Sequence, residues 1–182
     1  MAERLKLGVV GANPKVGWAS RTHMPALLAL PEFELVAVCT SKRESAEASA
    51  EKYEASHAYW SHRDLVADPA VEAVDVAVKV PFHHEIVMAA LEAGKHVYCE
   101  WPLGATVAQA VEMADLAQRK GLHTMVGLQS RGAPSIIHLR QLIADGWVGR
   151  VLSATMTQFQ PGLLQAREER SEERRVGKEC RL

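Results

Sequence analysis

Gly11-Ala12-Asn13-Pro14-Lys15-Val16-Gly17-Trp18 is the segment whose residue types and spacing most directly suggest chemistry. An apolar run, Leu5 to Gly11, leads into it, and helical spacing starts at Trp18, so it reads as the turn from a first strand to a first helix. Such a turn presents free N–H groups and a positive dipole end to a pyrophosphate, and glycine lets phosphate approach the backbone closely. The spacing departs from G-x-G-x-x-G, because Gly11 is followed by Asn13 and then by Gly17 in a longer loop. An ordinary strand-to-helix turn would use the same residues. Position favours the phosphate reading: the turn follows the first strand of an alternating series.

A second candidate lies at the end of the second strand, Thr40-Ser41-Lys42-Arg43, where Ser41 stands 24 positions beyond Gly17. Domains specific for NAD usually place a carboxylate there to bind the ribose hydroxyls. Here a hydroxyl and two cations occupy the site, which suits a 2′-phosphate and favours NADP over NAD; the alternative is a solvated helix start. His83 and His84 open a helix at the carboxyl edge of the sheet, where ligands bind in such folds. His23, beside Pro25 in the first helix, reads as a packed or capping residue. His83, His84 and Cys99 lack a fourth ligand at metal spacing, so no metal site is expected.

These residues need elements to position them. Phe33 to Cys39, Val74 to Val80, His96 to Cys99 and His123 to Leu128 repeat the apolar character of the first run and read as buried strands. Helical spacing covers Trp18 to Leu30, Arg43 to Tyr53, His83 to Ala93, Thr106 to Lys120 and Ser135 to Asp145. Gly94 and Gly121 sit where helix C-caps require a left-handed backbone. Strands alternating with such helices imply a doubly wound parallel sheet, an α/β fold, over residues 1–130. Residues 131–166 read as a connecting helix and, from Val151, the first strand of a second unit. Residues 167–182 carry 11 charged side chains in 16 and read as a disordered or foreign tail. The pattern implies a chain cut off as its second domain begins.

Of the 182 residues 48% are hydrophobic and 24% charged, with 21 Lys+Arg against 22 Asp+Glu. So balanced a charge gives no field to hold a nucleic acid or a membrane surface. No apolar run reaches a membrane span, and the start lacks a secretory signal, which points to the cytoplasm. Three cysteines without a C-x-x-C pair suit reduced thiols.

Val78-Lys79-Val80-Pro81-Phe82-His83-His84, followed by Ala89-Ala90-Leu91-Glu92-Ala93-Gly94-Lys95-His96-Val97-Tyr98-Cys99-Glu100-Trp101-Pro102-Leu103, resembles the glucose-fructose oxidoreductase, inositol dehydrogenase and rhizopine-catabolism (Gfo/Idh/MocA) family. The resemblance runs over about residues 5 to 160 and takes in Gln129-Ser130-Arg131. It implies an N-terminal Rossmann domain binding NADP or NAD, and a C-terminal α/β domain carrying substrate and oligomer contacts. It further implies a sugar, polyol or related small alcohol as substrate, and a homo-oligomeric full-length form. The implied cofactor pocket takes Val80, Pro81, His84, Glu100, Trp101 and Gln129 together with Gly11, Asn13, Gly17, Trp18, Thr40, Ser41, Lys42 and Arg43.

Enzymes of the family carry Glu-Lys-Pro after the fifth strand, the lysine serving proton transfer and the glutamate sitting by the nicotinamide ribose. This chain has Glu100-Trp101-Pro102, and an indole has no titratable proton for acid/base work. No catalytic residue is therefore assigned. Gly17-Trp18-Ala19, Lys79-Val80-Pro81 and the Glu-Trp pair resemble the branch containing the fungal galactose-pathway repressor, which senses a dinucleotide and binds a transcriptional activator. Two expectations stand together: an NAD(P)-dependent oxidoreductase, and a dinucleotide-sensing regulator without chemistry.

Overall fold

The computed structural model describes residues 4–157. They divide into two compact units, one ending at Gly127 and one beginning at Leu128. The first unit holds six parallel strands: β1 (Leu5–Val10), β2 (Phe33–Cys39), β3 (His57–Tyr59), β4 (Ala73–Val76), β5 (His96–Glu100) and β6 (Thr124–Gly127). Their order across the sheet is β3-β2-β1-β4-β5-β6, so the winding reverses between β1 and β4. A ligand crevice opens at the carboxyl ends of the strands at such a reversal.

Six helices cover this sheet: α1 (Trp18–Arg21), α2 (His23–Ala29), α3 (Arg43–Tyr53), α4 (His62–Ala67), α5 (His83–Glu92) and α6 (Val107–Lys120). The apolar strands are buried as β-branched runs against them. Val10, Val74, Val76, Val97 and Cys99 pack with Leu65, Ile86, Leu91, Met113 and Leu116 on one face, and Val9, Val38, Ala19, Met24 and Tyr53 cluster on the other. α6 is well delimited: Thr106 accepts from the N–H of Gln109, the Gln109 side chain accepts from Ala105, and Gly121 closes the helix at φ 64°.

Several boundaries differ from those expected. The first helix breaks at Thr22 (φ −127°, ψ −60°), because Pro25 has no N–H to offer the carbonyl of Arg21 four residues back. β4 stops at Val76, and Val80–Phe82 forms a 3-10 turn around Pro81, whose fixed φ suits a tight turn better than a ladder. β3 and α4 lack the long apolar run that marks the other elements; β3 is a three-residue edge strand. Residues 151–157, where a strand was expected to begin, are exposed and pair with no strand among the described residues. The rest of that strand, residues 158–166, and the charged tail 167–182 lie outside the described residues.

The second unit, by itself, holds a 3-10 turn at Gln129–Gly132 and α7 (Pro134–Ala144), with proline at the first helical position where its missing N–H costs nothing. Among the described residues no helix is long and apolar enough to cross a membrane.

Candidate functional site

The glycine turn sits at the reversal between β1 and β4. Gly11 has φ 100°, and a Cβ built there would collide with the carbonyl of Ala77 just beyond β4, so the position excludes every side chain. Gly17, at φ 110°, faces it across the loop; a Cβ there would find only the Gly11 carbonyl, 4.0 Å away. Asn13 organises the stretch between them. Its side-chain oxygen accepts from the N–H of Lys15 (3.0 Å) and of Val16 (3.2 Å), so these two donors serve the loop itself. α3 braces the loop from outside, Ser49 donating to the Ala12 carbonyl and Lys52 to the Pro14 carbonyl. Trp18, half-exposed, opens the one-turn α1. Gly11 and Gly17 thus leave two points of the loop without side chains where the winding of the sheet reverses, the condition for close approach of a phosphate to backbone.

At the end of β2, Thr40 is buried and its hydroxyl is engaged with Ser45 (2.6 Å) and the Lys42 carbonyl (3.0 Å), securing the start of α3. Ser41 and Lys42 are exposed. Arg43 is exposed too, bonded to Glu47 at 2.7 Å and lying over the Trp60 ring at 5.4 Å.

Beyond β4, Val80 is buried in its 3-10 turn and Pro81 is exposed. The two histidines that follow part company. His83 is buried, its ring held between the carbonyls of Val78 (2.9 Å) and Pro102 (2.8 Å). His84 turns to Glu112 on α6 at 2.8 Å. Cys99 is buried within β5, where burial first, then Asp75 and Glu100, push its thiol up to about 12. Cys39 is likewise pushed up to about 12, mainly by burial. Both thiols are inert at neutral pH. Trp101, 64% exposed, precedes Pro102 across a cis bond. Gln129 opens the 3-10 turn of the second unit.

The constellation that sequence reasoning missed lies on one face of β4 and β5. Asp75 is paired in register with Tyr98, two residues before Glu100, so all three side chains emerge on that face. His23 of α2 reaches between the carboxylates: Nδ1 lies 2.6 Å from Asp75 Oδ2 and Nε2 lies 2.9 Å from Glu100 Oε1. Burial alone would lower the imidazole's pKa, but the bond and charge of Asp75 and the charge and bond of Glu100 outweigh it and raise it. Asp75 is raised as well, by burial first, with His23 opposing. Tyr98 is pushed up to about 12 by burial and by Glu100. The available signal was Asp75 itself, a carboxylate inside the apolar run VDVAVKV, where an unpaired charge is not tolerated.

Comparison with known proteins matches residues 5–128, more than half of the chain, to the description "Oxidoreductase family, NAD-binding Rossmann fold" of Gfo/Idh/MocA proteins. The chain belongs to this family. Among its relatives, "Dehydrogenase aclE" of Aspergillus oryzae is 36% identical over 162 residues, covering 86% of this chain and 44% of the relative. The galactose/lactose metabolism regulatory protein GAL80 of Saccharomyces cerevisiae is 30% identical over 161 residues, covering 84% of this chain and 37% of the relative. The crystal structure of an NAD binding oxidoreductase from Klebsiella pneumoniae superposes with a TM-score of 0.73 at 37% identity, covering 81% of this chain and 40% of that one. This Gfo/Idh/MocA chain therefore spans well under half the length of these relatives, and what it contains is the family's NAD(P)-binding Rossmann domain.

Proposed function

We propose that this chain is the dinucleotide-binding part of an oxidoreductase acting on a sugar, polyol or related small alcohol. The observation that carries the reading is the pair of points without side chains, Gly11 and Gly17, the first sealed against Ala77 where the sheet reverses. Gly11, Gly17 and Trp18 border the pyrophosphate, and Asn13 holds their loop in shape. Thr40 fixes the next loop, so that Ser41, Lys42 and Arg43 flank the adenosine ribose. Two cations there make NADP the preferred cofactor; Glu47 takes part of Arg43's charge, which leaves Lys42 the larger share of the attraction. Val80, Pro81, His84 and Trp101 complete the pocket, and Glu100 accepts from the nicotinamide-side ribose. The protein is read as cytoplasmic, homo-oligomeric in its longer form, and without direct nucleic-acid contact.

A bound nicotinamide supplies the hydride acceptor. Taking hydride from a carbinol also requires its proton to leave, and a positioned acid/base group contributes about 10² to 10⁴ in rate. Trp101 offers no such group, so the 182-residue chain binds cofactor and turns over no alcohol. Calorimetric titration with NADP and NAD tests the binding. Tighter NADP supports the reading; equal affinity or an NAD preference removes the assignment of Ser41, Lys42 and Arg43; binding of neither sinks the proposal.

Trp101 also favours a second reading, a dinucleotide-sensing regulator. A full-length protein containing this sequence, screened against sugars and polyols by nicotinamide absorbance, separates the two. Turnover supports the enzyme, and tight binding without turnover supports the regulator.

A further inference from the structure

A histidine with side-chain exposure of 9% lies between two carboxylates exposed 7% and 14%, on a sheet whose opposite face carries Val74, Val76, Val97 and Cys99 at the neighbouring positions. Ionised carboxylates only accept hydrogen bonds, so His23 satisfies Asp75 and Glu100 together when both its ring nitrogens carry protons. The resulting imidazolium makes two charge-assisted bonds away from water, where such bonds are strong. The arrangement is closely packed. Tyr98 sets its ring edge-on to His23 at 5.5 Å and donates to Glu100 Oε1 at 3.3 Å. On β6, a Cβ at Gly127 would come within 2.6 Å of both Glu100 Oε1 and the Tyr98 oxygen. Stability does not account for this cluster, because apolar packing in place of buried charges is often neutral or better. Asp75 Oδ1 finds no partner among the described residues, a desolvation cost that an apolar residue would not incur.

We propose that His23, anchored by Asp75, is a positioning residue for dinucleotide binding: it holds the Glu100 carboxylate in one orientation at the carboxyl end of β5, ready to accept from the hydroxyls of the nicotinamide-side ribose. The inference rests on the dinucleotide reading above. His23 itself does not touch the ligand; it sets the acceptor that does.

The test compares each dinucleotide with the fragment that lacks the nicotinamide riboside, NADP with adenosine 2′-phosphate 5′-diphosphate and NAD with ADP, on the 182-residue chain. His23→Asn is expected to weaken the dinucleotide roughly tenfold, the loss of one well-placed charged acceptor, and to leave the fragment's affinity unchanged. Glu100→Gln should show the same split, and adding His23→Asn to it should cost little more, since both act through one carboxylate. Asp75→Asn, which keeps shape and an acceptor, should produce a smaller split of the same kind. In the unsubstituted chain the ring ¹⁵N shifts of His23 should report two protonated nitrogens at neutral pH. Equal weakening of dinucleotide and fragment in both His23→Asn and Asp75→Asn would make the cluster an upkeep device of the fold and overturn the inference. So would a neutral His23 ring, or unchanged dinucleotide affinity in His23→Asn. If the unsubstituted chain binds the fragments and no dinucleotide better, the reading of Glu100 fails with it; if it binds neither class, the proposed function itself fails.

Discussion

The face of the sheet under α4, α5 and α6 is apolar throughout, whereas the face under α1, α2 and α3 is apolar over β1 and β2 and charged over β4 and β5. The first face is built by volume: valines from four strands meet leucines and methionines from three helices, and similar apolar side chains of like size could do the same work. The second is built by hydrogen-bond geometry and tolerates little. A fold that could have buried two uniform faces keeps Asp75, Tyr98 and Glu100 on one half-face, beside the crevice.

The comparison can be broken most forcefully at the crevice itself. Gly11→Ala should cost about 4 kcal/mol or more, from left-handed strain plus the backbone shift forced against Ala77, and thermal melting would show it. Asp75→Ala should follow at about 3 to 5 kcal/mol by urea denaturation, because it removes one partner of a buried pair with His23. Leu91→Ala, on the apolar face, should cost about 2 to 5 kcal/mol while leaving dinucleotide affinity per folded molecule unchanged. A change in affinity there would erase the distinction between the faces.

A gentler lever is pH. His23 has its pKa raised in the folded protein above an unfolded value of about 6.5. Its contribution to stability is therefore complete below about pH 6.5 and is lost as pH rises through the folded value. Urea midpoints measured upward from about pH 6 should fall in the unsubstituted chain and stay flat, in that range, for His23→Asn. The smallest effect belongs to an exposed cation: Lys42→Ala should lower the NADP-to-NAD affinity ratio by roughly tenfold or less and leave the melting temperature unchanged.

What the sequence revealed divides along the same line. Strands and helices governed by apolar period, such as Phe33–Cys39, Arg43–Tyr53 and Val107–Lys120, stand where the pattern put them, and Gly94 and Gly121 take the positive φ expected of caps. The family resemblance was legible for a different reason, since it rests on consecutive residues around Val78–His84 and Glu100–Pro102. The His23, Asp75 and Glu100 cluster was not legible, because its members lie 52 and 77 positions apart in the pairs that matter and meet only once β4 and β5 are in register. His83 and His84 show the same limit at shorter range. Adjacent on one helix, they point to different neighbours, one to backbone carbonyls and one to Glu112.

One helix links the glycine loop and the loop after β2, which the proposed function places along the adenosine side of the dinucleotide. α3 begins directly at Lys42 and Arg43, and further along its length Ser49 and Lys52 grip Ala12 and Pro14 in the glycine loop. Eleven residues of helix form a rod about 16 Å long that does not stretch. The interval between the two loops is thereby set like the jaws of a fixed gauge cut from one bar. Neither jaw can drift toward a ligand without carrying the other. If both loops hold one dinucleotide, as proposed, the spacing between its two points of contact is fixed by this bar.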